Sequence, residues 1–248
     1  MIRKPSRWCF EHRVELAAFI GGIGFLFYLV SPFHLTRFAA RWASLPEEST
    51  VRAVYLLLGL LNLATGALRI WAGGTLGGAR MMSVRVRDDA LIIAGPYAHV
   101  RNPIYLADIL TLAGMGLVVP ELGTLVVWTL LALIYPRIIA YEEQTLSAKY
   151  GARYADYAAR VPRLGWRIDP YRSEGTNAAF SFREGLLNNF LYLPLIPGFL
   201  VAAATGVLWH GVAVGAIGPV AWIVQHFWRN FKPGGLARKT DDGDAQDC

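Results

Sequence analysis

Long apolar runs separated by short basic segments dominate the chain. Six of them approach the roughly 20 residues an α-helix needs to cross a bilayer, and they fall in pairs: 14–30 with 51–72, 104–119 with 122–141, and 186–209 with 211–228. Only Pro120 and Glu121 separate the third run from the fourth, so those two must form an antiparallel hairpin. Pro194, Pro197 and Pro219 predict kinks in the last pair, because proline removes a helix hydrogen bond. The pattern predicts an all-α polytopic membrane protein with about six transmembrane helices around a central hairpin. Four regions follow: a helix pair over 1–72, a core over 73–172, a second pair over 173–228 and a polar tail over 229–248.

After the fourth run, Leu146, Tyr150, Tyr154, Tyr157 and Val161 recur at helical spacing, with Lys149, Arg153, Asp156 and Arg160 between them. This predicts an interfacial amphipathic helix, or a solvated helix whose tyrosines pack on neighbouring spans. At 54% apolar and 17% charged, the 248 residues exclude an ordinary soluble domain. A net charge of +6 would point to nucleic acid in a polar chain. Here the basic residues flank apolar runs, where they face anionic headgroups, so no nucleic-acid partner is expected.

Those flanks also predict orientation. The N-terminus, the segment with Arg80, Arg85, Arg87 and Arg101, and the segment from Lys149 to Arg183 share one side, expected to be cytoplasmic. Loop 32–50, with Arg37 and Arg41 beside Glu47 and Glu48, is the discordant one. The first run, preceded by Arg3, Lys4, Arg7 and Arg13, reads as a retained anchor rather than a cleaved signal. Cys9 and Cys248 lie at opposite ends and build no disulfide framework, and the terminal position of Cys248 does not fit a prenylation box.

Chemistry concentrates in two segments. In Gly95-Pro96-Tyr97-Ala98-His99-Val100-Arg101-Asn102-Pro103-Ile104-Tyr105, Pro103 suits a first helical position and Asn102 an N-cap. The free N–H groups of that helix start, with Arg101 beside them, favour an anion. A capped helix with a snorkelling arginine is the plainer account of the same residues. At Tyr141-Glu142-Glu143, adjacent carboxylates point about 100° apart on a helix, so one can face a ligand while the other takes a protein arginine. The hairpin brings both segments to one membrane face.

Gly-Pro-Tyr at Gly95, Arg-Asn-Pro-x-Tyr at Arg101, Tyr-Glu-Glu at Tyr141 and Val-Pro-Arg ending at Arg163 together resemble the isoprenylcysteine carboxyl methyltransferase family. The Asn-Pro-x-Tyr and Tyr-Glu-Glu elements are also similar to phosphatidylethanolamine N-methyltransferase. The resemblance spans roughly residues 70–167. It implies a methyltransferase using S-adenosylmethionine at the cytosolic helix ends, with a lipophilic acceptor entering from the bilayer. By resemblance, Gly95, Pro96, Tyr97, Arg101, Asn102, Tyr105, Tyr141, Glu142 and Glu143 bind the cofactor. Asn102 stands where the prenylcysteine branch carries histidine, Ala107 where glycine often follows the motif tyrosine, and Gly165-Trp166 where an apolar-proline ending is usual.

A carboxylate acceptor needs only a cation to hold it, for which Arg163 or Arg160 is the candidate, whereas an amine must first lose a proton, which favours Glu143. A phospholipid amine is therefore the second acceptor, and a noncatalytic scaffold or small transporter the rival of another class. Elsewhere, Asn62 and Gly66 are expected to pack helices, Arg69 to snorkel, and Asp108 to lie within reach of a ligand. Residues 73–78 read as a flexible connector and Trp222 to Lys232 as an interfacial anchor. The scattered histidines show no metal-ligand spacing.

Overall fold

The structure is a computed structural model and describes residues 5–31, 34–77, 91–172, 179–221 and 224. The expected roles of Arg80, Arg85 and Arg87, of the 222–232 anchor and of the polar tail lie outside them. The described residues are helical, with no strand among them. In chain order the helices are α1 (Arg7–Glu11), α2 (Arg13–Leu26), α3 (Leu35–Trp42), α4 (Glu47–Leu76), α5 (Pro103–Gly116), α6 (Glu121–Arg160), α7 (Phe182–Leu187), α8 (Leu195–Thr205) and α9 (Leu208–Gly215).

Among the described residues, two helices are long and apolar enough to cross a membrane, α4 and α6, not the six expected. Their apolar surface is not consumed by packing: Leu57, Leu60 and Leu63 of α4 and Leu122 and Leu125 of α6 stay exposed. A contiguous apolar surface of this kind belongs against lipid, and membrane association follows. The other apolar runs are interrupted for local reasons. Helix α2 stops at Leu26 in a 3-10 turn, after which the Ser31 hydroxyl donates to Glu121 at 2.9 Å. Helix α5 ends at Gly116, four residues before Pro120. Pro194, which lacks an N–H, separates α7 and a run of turns from α8, and Gly206, left-handed at φ 72°, ends α8. At 1.5 Å per residue the 14 residues of α5 reach only about 21 Å, against a hydrocarbon core of about 30 Å.

The α5–α6 hairpin forms where the short Pro120 junction requires it, and α2 packs along α6. Helix α4 lies against α5 on one side and α8 on the other, with α9 antiparallel to α8. Ile20, Tyr105, Leu112, Val127, Tyr135 and Ile138 form the centre of the core. Loop 32–50 contains the amphipathic helix α3 rather than irregular chain throughout. The glycine-rich 73–78 segment is not a connector over its first part: α4 runs through it to Leu76, and Gly74 sits against Phe180 and the Ser181 carbonyl.

The segment with the spaced tyrosines is helical, as expected, and joins the rest of α6 across a kink rather than as one continuous helix. A break at Gly151, with φ 49° and ψ −122°, redirects it. That left-handed φ suits glycine, and a Cβ there would meet nothing within 4 Å, so conformation rather than space favours the residue. Tyr154 and Tyr157 are buried against Leu91, Ile93 and Val161. The tyrosine face is therefore turned onto the protein, the second of the two arrangements the spacing allowed.

Candidate functional site

The site is assembled where the start of α5 meets the C-terminal half of α6. Gly95–Ala98 forms a 3-10 turn that opens with Gly95 at φ 60°. A Cβ at Gly95 would lie 2.7 Å from the Thr75 hydroxyl, so both conformation and space demand glycine. Pro96 is fully buried and Tyr97 nearly so, and the Tyr157 hydroxyl donates to the Tyr97 carbonyl at 2.7 Å. Burial holds the Tyr97 phenol well above its ordinary pKa, and the nearby Glu142 carboxylate reinforces that, so the ring remains a neutral donor.

Asn102 occupies the N-cap position of α5 but its side chain does not cap the helix. Its amide donates instead to Glu143 Oε1 at 3.1 Å and to the Arg163 carbonyl at 3.1 Å. Glu143 is buried and gathers two arginines: Arg101 Nε lies 3.1 Å from Oε1, and Arg163 pairs with Oε2. Arg101 also donates from Nη1 to the Ala158 carbonyl at 2.6 Å. Glu142, one residue earlier, points elsewhere and accepts from the Tyr105 hydroxyl at 2.7 Å. The two carboxylates have thus separated as helix geometry requires, Glu143 toward arginines and Glu142 toward the tyrosine wall. Tyr105 in turn meets Tyr135 edge-on, with ring centroids 6.2 Å apart.

A strap over 162–171 closes this corner. Arg101 N donates to the Pro162 carbonyl at 2.9 Å, Arg167 N to His99 O at 3.0 Å and Tyr171 N to Ala98 O at 2.9 Å. His99 shares a 2.8 Å hydrogen bond from Nδ1 with the Arg167 carbonyl and stacks on Trp166 at 5.0 Å. Two predicted positions stand apart. Arg160 is exposed and paired with Asp156 at 2.9 Å, and Tyr141 packs on Phe10 of α1.

Adjacent to Arg163 runs a groove of about 440 Å³ between α5 and α6, walled by Ile109, Trp128, Leu131, Tyr135 and Leu164. Arg163 is the charged side chain among its described lining residues. Two donors beside Glu143, Arg101 Nε and Arg163 Nε, are buried without an aligned acceptor. Sequence reasoning had no access to this groove, because its walls come from apolar positions indistinguishable from any others along the two helices.

Residues 54–153 match the phospholipid methyltransferase family. The matched stretch is 100 of the chain's 248 residues. It contains the Gly95 turn, Asn102, Tyr105 and both glutamates, whereas Arg160 and Arg163 follow it. The chain is also similar to the cobalt-zinc-cadmium resistance protein CzcN of Cupriavidus metallidurans, 28% identical over 160 residues, covering 63% of this chain and 68% of that protein. The nickel-cobalt-cadmium resistance protein NccN of Alcaligenes xylosoxydans xylosoxydans is 26% identical over 151 residues, covering 59% and 67%. No solved structure matches.

Arg69 and Asp108 correct two expectations made from their positions in the apolar runs. Arg69 does not snorkel: it is buried and paired with Asp108, donates from Nε to Asn189 Oδ1 at 2.9 Å, and lies 3.7 Å over the Tyr192 ring. Asp108 is thereby engaged by the protein itself. Asn62 donates to the Leu58 carbonyl of its own helix at 2.8 Å, while Gly66 faces Ile196 and Leu193.

Proposed function

We propose that the chain is a multi-pass membrane enzyme that transfers a methyl group from S-adenosylmethionine to a carboxylate oxygen of a lipophilic acceptor, at the cytoplasmic face. The observation carrying this reading is the apolar groove that ends at Arg163, beside the paired glutamates. A groove of that lining suits a hydrocarbon body, and a guanidinium at its end suits an anionic head.

The residues present fit the cofactor. Arg101 Nε, buried and poorly aligned with Glu143 at 3.1 Å, is the donor that the amino-acid carboxylate would engage. Glu142 and Tyr105 offer an acceptor and a π-face for hydroxyls and a cation. When bound, S-adenosylmethionine supplies a methyl group already activated by a sulfonium. The protein's part is then positional. Arg163 holds the acceptor carboxylate, which needs no base because it is nucleophilic as it stands. Tyr97, Tyr105 and Tyr135, all buried, keep water from the corner. Glu143 fixes Arg101, Arg163 and Asn102 in one arrangement. Alignment of two reactants can lower a barrier by about 7–11 kcal/mol, so no triad is required.

An amine acceptor is the second reading, supported by the family description itself. It would use Glu142 for the proton, since Glu143 is already engaged. The relatives' resistance to cobalt, zinc, cadmium and nickel makes lipids from metal-challenged cells the first extract to try. The experiment incubates the purified full chain with methyl-labelled cofactor and a total lipid extract and identifies the labelled product. A base-labile product supports the carboxylate reading, and a base-stable one replaces it with the amine. Absence of cofactor binding by the intact protein leaves a scaffold or transporter instead.

A further inference from the structure

On the side of α5 away from the groove, a second cavity of about 590 Å³ runs between α2, α5, α8 and α9. Its walls are almost wholly apolar, from Val14 at one end, beside Glu15, to Val118 and Leu208 at the other. It opens to the surface at Gly22, an exposed lining residue where a Cβ meets nothing within 4 Å. Val118 and Leu208 also wall a smaller chamber of about 260 Å³, which abuts the cavity at the end of the bundle opposite Glu143.

The chamber has different chemistry. His34, Arg37, Thr36, Tyr28 and Tyr55 line it, and no carboxylate is among its described lining residues. The Tyr28 hydroxyl is committed to the Val118 carbonyl at 2.6 Å and Thr36 to the Leu117 carbonyl at 2.9 Å. Arg37 reaches Glu47 at 3.5 Å, but that carboxylate is held more closely by Arg41, at 2.9 Å. Glu121 is engaged by Ser31, outside the lining. Trp209 lines the chamber, 5.3 Å from Tyr28 and 6.2 Å by ring centroids from Phe25, which lines the larger cavity. An apolar shaft beside an arginine-bearing, aromatic-collared chamber is complementary to one kind of molecule, a long hydrocarbon chain with an anionic head.

We propose that the chain holds one anionic membrane phospholipid at the face opposite Glu143, its acyl chain in the shaft and its headgroup beside Arg37. The placement in a leaflet rests on the spanning arrangement proposed above; the lipid itself is separate from the methyl acceptor. Shaft and chamber draw on α2, α3, α8 and α9, which lie outside the methyltransferase domain. The bound lipid would fill what protein side chains leave empty between the domain and its flanking helices.

The test uses the full chain in nanodiscs containing equal phosphatidylglycerol and phosphatidylcholine, released and weighed by native mass spectrometry. One retained phosphatidylglycerol per chain is expected. Arg37→Gln should weaken its retention about tenfold, the scale of one charge-assisted contact, without changing phosphatidylcholine. Gly22→Phe should remove it by occupying the shaft, whereas Arg7→Gln, an exposed arginine on the other face, should not. Equal retention of phosphatidylcholine, or phosphatidylglycerol held normally by Arg37→Gln, overturns the proposal. Arg37 is exposed, so that variant remains informative if Gly22→Phe fails to fold. Cofactor binding on the same samples separates the two readings: binding without lipid selectivity removes only the lipid site.

Discussion

Replacing Glu142 and Glu143 one at a time by glutamine should give opposite phenotypes, although the residues are adjacent and chemically identical. Glu143 is buried, pairs with Arg101 and Arg163 and accepts from Asn102. Removing one member of a buried pair costs about 3–5 kcal/mol, because the partner charge is stranded. Here the figure is smaller. Arg163 keeps 39% of its side chain exposed and Arg101 retains the Ala158 carbonyl, so Glu143→Gln should cost about 2–3 kcal/mol. Glu142 accepts from the Tyr105 hydroxyl, a bond that a glutamine carbonyl can still accept. Its replacement should change stability by less than about 1 kcal/mol while abolishing binding of labelled S-adenosylmethionine, with Glu47→Gln as a neutral control. Equilibrium unfolding in mixed micelles and cofactor binding, run side by side, provide the assay. Equal destabilisation by the two variants, or normal cofactor binding by Glu142→Gln, would refute the division of labour.

Other outcomes follow from the same geometry. Asp108→Ala strands Arg69 in a dry environment and should destabilise by about 3 kcal/mol or more, whereas Arg69→Met with Asp108→Leu should recover much of the loss in the same unfolding assay. Arg163→Gln should raise KM for a carboxylate acceptor far more than it changes kcat; an unchanged KM favours the amine reading. Gly151→Ala meets open space but a left-handed backbone, so a loss of about 1–2 kcal/mol would arise from conformation alone. Burial, then Arg37, lowers the His34 pKa from its usual 6.5, opposed by Glu121. Its neutral form is therefore the one the fold favours: that contribution is complete above pH 6.5 and is lost as pH falls through the lower folded value, which an NMR titration of the ring would measure.

Much of this protein is legible in the order of its residues. Apolar runs too long for anything but membrane or core, a two-residue junction at Pro120 and Glu121, and a proline after Asn102 determine an α-helical hairpin and the start of α5, because these are local and periodic constraints. The adjacency of Glu142 and Glu143 likewise dictates that they diverge. Which of them is claimed by arginines is another matter. It depends on Arg101 and Arg163 arriving from segments 42 and 20 residues distant, and a linear pattern carries no record of such meetings. The same holds for Arg69, whose expected route to the headgroups gave way to Asp108, Asn189 and Tyr192 once α4, α5 and the segment before α8 had packed. Run lengths were also decided in three dimensions, where Ser31 found Glu121 and Pro194 broke a continuous apolar stretch. Cavities belong wholly to this second category: a groove or shaft is the space between side chains, and its shape exists only after the helices that bound it have taken their relative positions.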